Sequence, residues 1–508
     1  MAGINRKPGV RTHEGGRATR RTPKQELFVL CAGFLNEDTF YETSGQTEQR
    51  LGQLATQVCE DMEWCLNLVT WLRGDGGLRT AAQLAAIAIV HARLAKHQSG
   101  ANRRIIAASI RRADEGPALL NAWKTRYGNI PKPVKRGVAD SLGHLTENSY
   151  LKWAGKTSKG MVSLADAIRI THPKPHDGRQ SALFSLIAGT HENEDRKALL
   201  TALPVIRARE TFNAMSVGQK TSELTGEHGT ELIESARLTH ETIFSALGEL
   251  DMETASAIWQ RLLPNMGYQA VLMNLRRIIT TCGEHSTAVN MALERVCHPE
   301  EAGYKPMPIS FLSAWRNTPD IAHPALEQAA RLTLRRVPSL DGRTLIMVDR
   351  SGSMDYPLSA RSTLTRFDAA AVFACALGLR NPGGMIVPFG WDAMEPVRVE
   401  GENPLAMIGR LGNPYGGTRV GASVQQAFRK GPYDRVMVIT DEQTSYGDTT
   451  DLSRAVPDGT PLYVWNLGGY QASLSLGDRN RVNLAGLTDS AFALIEFNET
   501  GAWPWDVR

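Results

Sequence analysis

The stretch Leu345-Ile346-Met347-Val348-Asp349-Arg350-Ser351-Gly352-Ser353-Met354 restricts the fold of this chain more than any other. Four consecutive apolar residues suit a strand buried on both faces, which is the habit of parallel sheets. The run stops at a carboxylate, and the following turn carries two hydroxyls and a glycine. Asp349, Ser351 and Ser353 alternate along an extended turn, so their oxygens can converge on one point. A carboxylate with hydroxyls is a hard-oxygen donor set, suited to Mg²⁺ or a similar divalent cation. Open α/β sheets bind ligands in this same place, beyond the carboxyl ends of their strands.

The surrounding pattern supports such a sheet. After Pro338, short apolar runs at 343–349, 384–389, 435–440 and 461–467 read as strands. Helical stretches at 367–379 and 419–428 separate them, and 482–487 and 491–496 close the domain. That alternation specifies an α/β doubly wound sheet with helices on both faces. Before Pro338 the signals are helical from Pro23 to about residue 317. Leu84, Ile87, His91 and Leu94 share one face, with Gly100 as a stop; Val134, Val138, Leu142 and Leu145 form another stripe after Pro133. Further helices are expected at 48–72, 101–112, 118–127, 180–188, 196–212, 231–236, 254–263, 270–281 and 286–296. This many helices with few strand signals suggests an all-α solenoid able to curve into an arc or ring, although no strict repeat period is present.

A length of 508 residues exceeds one core. The expected domains are a basic flexible arm (1–24), a helical domain (25–340) and the sheet domain (341–508). Net charge is +4 overall, but from Arg343 onward there are 15 basic and 18 acidic residues, which leaves the first part at +7. The helical part is therefore the better candidate for a polyanionic partner. Residues 1–24 hold seven Lys and Arg against Glu14, and read either as a solvated tail or as an arm that tracks phosphate. The six cysteines show no zinc spacing, and are expected to be buried free thiols in a reducing cytoplasm. No apolar run approaches the roughly 18–20 residues of a membrane span, and no apolar core follows the basic amino terminus as in a secretory signal.

Two further loops join the first. Gly416-Gly417-Thr418 precedes a helix, and Asp441 follows the strand that ends at Thr440. The series Asp349-x-Ser351-x-Ser353, then Thr418, then Asp441 resembles the metal-ion-dependent adhesion site (MIDAS) of von Willebrand factor A domains. The resemblance implies a magnesium-type cation held by Ser351, Ser353 and Thr418, with Asp349 and Asp441 acting directly or through water. It also implies an open coordination position for a partner's carboxylate or phosphate. With no phosphate-cradling Gly-Lys-Ser/Thr loop and no set of acids and histidines at nuclease or ligase spacing, the chain is not expected to be an enzyme.

A helical domain followed by this sheet domain resembles the TROVE-domain family, of the Ro autoantigen type. The local likenesses are His13-Glu14-Gly15-Gly16, Leu30-Cys31-Ala32-Gly33, Phe40-Tyr41, and Ile168-Arg169-Ile170-Thr171-His172-Pro173-Lys174-Pro175. Leu238-Thr239-His240-Glu241-Thr242, Met273-Asn274-Leu275-Arg276 and Val296-Cys297-His298-Pro299 follow in family order. The family implies a HEAT-like helical-repeat ring closed by the von Willebrand-type domain. It also implies Y-like small RNA on a basic outer surface, single-stranded ends of misfolded RNA in a central hole, and a role in RNA quality control. A nuclease or RNA-repair protein is the implied partner, with the protein itself monomeric in a cytoplasmic ribonucleoprotein.

The residues give candidates of their own. Ser163 and Asp166 form a capping box, and Pro173 ends that helix, which leaves Arg169, His172 and Lys174 near its carboxyl end. Lys152, Lys156 and Lys159 lie upstream around Trp153; each cation reads either as a phosphate contact or as an ordinary solvated or capping group. The family's RNA-contacting histidine would be His172. Arg111, Arg112, Lys135 and Arg136 are further candidates. An alternative function is a metal-site adaptor for an ATPase or other protein partner, with the helices as a protein scaffold.

Overall fold

The computed structural model describes residues 10–11, 17–18, 22–32, 44–153, 160–189, 193–300, 308–334, 337–358, 362–381, 383–398, 404–441, 450, 452–467, 480–485 and 490–506. The chain forms two compact units. One spans 55–292; the other joins 1–54 to 293–508, so helices that precede residue 341 in sequence pack with the sheet.

The unit 55–292 is built from helices alone among its described residues. The helix expected over 48–72 is two, Ser44–Val58 and Met62–Arg73, because Asp61 accepts the Trp64 N–H at 3.1 Å and caps a fresh start. The helix expected over 196–212 also divides, into Asn193–Ala202 and Pro204–Ala214. Proline lacks an N–H and suits the first helical position, so Pro204 opens a new helix. Elsewhere the stripe Val134, Val138 and Leu142 is buried on Lys132–Leu142, whereas on Arg79–Ala95 Leu84 and Ile87 are buried but Leu94 is half-buried and His91 is exposed, stacked on Tyr127.

The second unit begins with a short antiparallel pair, β1 (Val10–Arg11) and β2 (Arg17–Ala18). Its centre is a parallel sheet of five strands: β3 (Thr344–Asp349), β4 (Met385–Phe389), β5 (Arg435–Thr440), β6 (Leu462–Asn466) and β7 (Arg481–Ala485). Their order is β4-β3-β5-β6-β7. Side chains alternate across each strand. Leu345, Met347, Val436 and Val438 meet Val420 and Val424 of the helix Val420–Phe428. The helix Arg366–Arg380 packs on β3, and its run Ala369-Ala370-Ala371 is fully buried. Small residues let that helix lie close to the strands. Phe373 lies tilted against Trp465 at 4.5 Å between ring centres, and Trp465 meets Phe492 edge to face at 5.3 Å. This is the doubly wound α/β arrangement expected.

The helix Pro23–Ala32 belongs to this unit. Phe28 lies 4.9 Å from Phe497, 5.7 Å from Trp503 and 5.9 Å from Trp505, centre to centre. The free cysteines are buried, except for the half-buried Cys297. Among the described residues no helix is long and apolar enough to cross a membrane.

Candidate metal centre and nucleic-acid surface

Strand order creates the first site. From β3 the chain steps outward to β4, then crosses back to β5 on the other side of β3. Such a reversal opens a crevice beyond the carboxyl ends of the two inner strands. Asp349 is the last residue of β3, and Asp441 directly follows β5. Two carboxylates therefore flank the crevice, and both are fully buried.

Hydrogen bonds hold the side chains of Asp349, Ser351, Ser353 and Asp441 in place. The Ser351 N–H donates to Asp349 Oδ1 at 2.8 Å, and the Thr440 hydroxyl donates to Asp349 Oδ2 at 2.5 Å. Ser351 Oγ lies 3.1 Å from Ser353 Oγ, which donates to Asp441 Oδ1 at 3.2 Å. A continuous series of oxygens thus links the first loop to the third. Backbone bonds bring in the second loop. The Gly352 N–H donates to the Gly416 carbonyl at 2.8 Å, and the Tyr415 N–H to the Arg350 carbonyl at 2.7 Å. Thr418 follows in that loop and is buried. Gly416 has φ +73°, and a Cβ there would stand 3.2 Å from Trp391 Nε1, so the loop requires glycine on both counts.

Arg366 went unnoticed in the sequence. It opens the helix Arg366–Arg380, whose start is fixed by a capping box between Thr365 and Asp368. Its Nη1 donates to Asp441 Oδ2 at 2.9 Å, with the arginine only 13% exposed. A signal was available: a cation at a helix amino terminus opposes the helix dipole, so an arginine there calls for a partner elsewhere. Burial pushes the Asp349 carboxyl up to about 6, against the lowering by hydrogen bonds from Thr440 and Ser351; Asp441 adds to the rise.

The set Asp349, Ser351, Ser353, Thr418 and Asp441 offers oxygen alone, without nitrogen or sulfur, and so fits a hard divalent cation. Among the described residues no group of three or more His, Cys, Asp or Glu gathers to hold a metal, here or elsewhere; this site has two carboxylates, and its other donors are hydroxyls.

The second candidate, the basic surface, is less uniform. The helix Leu164–Thr171 packs against Lys132–Leu142 and Gly178–Ala188. Ser163 and Asp166 form the expected capping box, and the helix ends at His172, which has φ 47° just before Pro173. His172 and Lys174 are exposed, and no described residue pairs with their side chains. Arg136 is likewise exposed and Lys135 half-buried. Lys152 is exposed, 4.9 Å from the Trp153 ring.

Other expected cations are occupied. Arg169 donates to the Ala188 carbonyl and to Asp166, tying two helices together. Arg112 donates to Asp114 at 2.9 and 2.6 Å and stacks 3.5 Å over the Trp153 ring, which takes one face of that ring. Arg111 is exposed, while its backbone N–H donates to Glu115 at 2.7 Å. Lys156 and Lys159 lie outside the described residues.

No family model matches the chain, and no curated protein matches it. Among solved structures it is similar to the crystal structure of the Deinococcus radiodurans RO (RSR) protein, with TM-score 0.68 at 19% identity. The likeness covers 94% of this chain and 100% of that one, so the two share a fold over nearly their whole lengths.

Proposed function

We propose that the chain is a Ro-type RNA-binding protein. The observation that carries this reading is the fold shared with the Ro protein along 94% of the chain. The exposed side chains of Arg136 on the helix Lys132–Leu142 and of His172 and Lys174 just beyond the adjacent helix Leu164–Thr171 support it, because phosphate requires donors and cations open to solvent. In this reading Y-like structured RNA lies on the basic helices, and single-stranded ends of defective RNA bind as a second class. The work is RNA quality control in the cytoplasm by a protein monomer, with a nuclease or RNA-repair partner and without catalysis by the chain itself.

The sheet unit would act as a von Willebrand-type adhesion module. Ser351, Ser353 and Thr418 would ligate Mg²⁺, with Asp349 and Asp441 direct or through water. A cation there would supply an open position for a partner's carboxylate or phosphate.

Fluorescence anisotropy with a labelled hairpin carrying a single-stranded 3′ end tests the RNA reading. Submicromolar binding that weakens steeply with added salt is the expected result. Binding weaker than micromolar at low salt, or independent of salt, would overturn it.

A further inference from the structure

A cavity of about 460 Å³ opens in the helical unit, beside the His172–Lys174 segment in sequence. It lies among the starts of the helices Glu147–Trp153, Gly178–Ala188 and Pro204–Ala214, with Arg237 at one wall. That volume is in the range of small-molecule sites. Leu145, Leu183 and Val205 supply apolar walls, and Thr146 and Asn148 supply polar groups.

The frame of the cavity is fixed. Glu147 is 2% exposed; its Oε1 accepts Arg179 Nε at 2.7 Å, and its Oε2 accepts the Ile206 N–H at 2.8 Å. Gln180 donates to the Gly143 and Leu145 carbonyls and accepts the His176 N–H at 2.9 Å. Asp177, the other acid at the rim, accepts the Gln180 N–H at 2.7 Å and caps its own helix.

The free positive charge comes from an unusual residue. Arg237 follows the helix Gly229–Ser235 with φ 46°, a conformation that favours glycine and is strained for a residue with a Cβ. Arg209 holds it there by donating to the carbonyls of Ala236 and Arg237. No described residue pairs with the Arg237 guanidinium, which is exposed and lines the cavity. This left-handed residue closes the helix, with the Leu238 N–H donating to the Ile233 carbonyl at 2.9 Å, and so fixes where the Arg237 side chain leaves the backbone.

We propose that this cavity receives one unpaired nucleotide of a bound RNA, its base between the apolar walls and its phosphate on Arg237. This rests on the RNA reading above and adds a site to it. A planar base matches the apolar walls and polar edges, and a phosphate matches a cation at the mouth.

Two duplexes of one sequence, fully paired and with a single extruded 2-aminopurine, separate the possibilities. Wild type should bind the extruded form about tenfold more tightly, with a change in 2-aminopurine fluorescence. R237G removes the cation and restores the residue that suits this backbone, so it should fold while losing the preference. V205W should lose it by filling the cavity with the charge intact. Both variants should keep the wild-type affinity for the paired duplex. Equal binding of the two duplexes by wild type overturns the cavity and leaves the RNA reading standing; binding of neither removes both. A preference unchanged by an abasic extruded residue, or kept in both variants, also overturns base insertion.

Discussion

The two candidate sites are built in opposite ways. At the strand ends, every expected oxygen donor is at least partly buried, and hydrogen bonds between or within loops fix four of the five side chains, Asp349, Ser351, Ser353 and Asp441. On the helices, the expected cations sit at ends and faces, and the structure divides them into two kinds. Arg112 and Arg169 are held by carboxylates or carbonyls, whereas His172, Lys174 and Arg136 face solvent. A cation site must be preorganised, because a small ion tolerates little error in ligand position. A phosphate surface need not be, since long side chains adjust and the attraction is long-ranged.

The largest expected effect breaks the first site while leaving the second. Asp349→Ala should lower Mg²⁺ affinity by on the order of 100-fold in calorimetry. RNA affinity of the same variant should stay within about twofold; a loss of RNA binding by a folded variant would refute two separate sites. Arg366→Gln comes next. It leaves the buried Asp441 without its cation, which costs on the order of 3 kcal/mol in urea unfolding without metal. Added Mg²⁺ should restore much of that stability, and an identical loss with and without Mg²⁺ would separate Arg366 from the cation site.

A smaller effect tests the helices. His172→Ala with Lys174→Ala should weaken a structured RNA about tenfold and reduce the slope of log affinity against log salt by about one. An unaltered slope would remove these residues from the phosphate surface. The least effect belongs to a paired cation. Arg103 bonds Asp140 across an exposed surface, so Arg103→Gln should cost under about 1 kcal/mol and leave RNA affinity unchanged. A tenfold loss there would mean that ion pairing does not distinguish the two kinds of cation.

What could be read from the sequence follows from the range of the interactions. The strand 435–440 was placed to the residue, and the loops at Asp349, Thr418 and Asp441 were found on the right elements. Buried parallel strands are short and apolar, and their loops carry the chemistry locally. The capping box at Ser163 is local too. Arg366 was missed because its partner is 75 positions away, and the cavity because it collects residues from 145 to 237. The division of 196–212 was a local signal overlooked, since Pro204 announces it. Nothing in composition tells a free arginine from one already stacked on Trp153.

The contact of Phe28 with Phe497, Trp503 and Trp505 has a consequence for biogenesis. During translation the helix 23–32 is made well before its aromatic partners at 497, 503 and 505. At about 5–20 residues per second the nascent chain carries that apolar face unsatisfied for on the order of a minute. Chaperone occupancy of this segment is therefore expected to persist until residues 497–505 have been made, and synthesis stalled before residue 497 should leave it exposed to proteases.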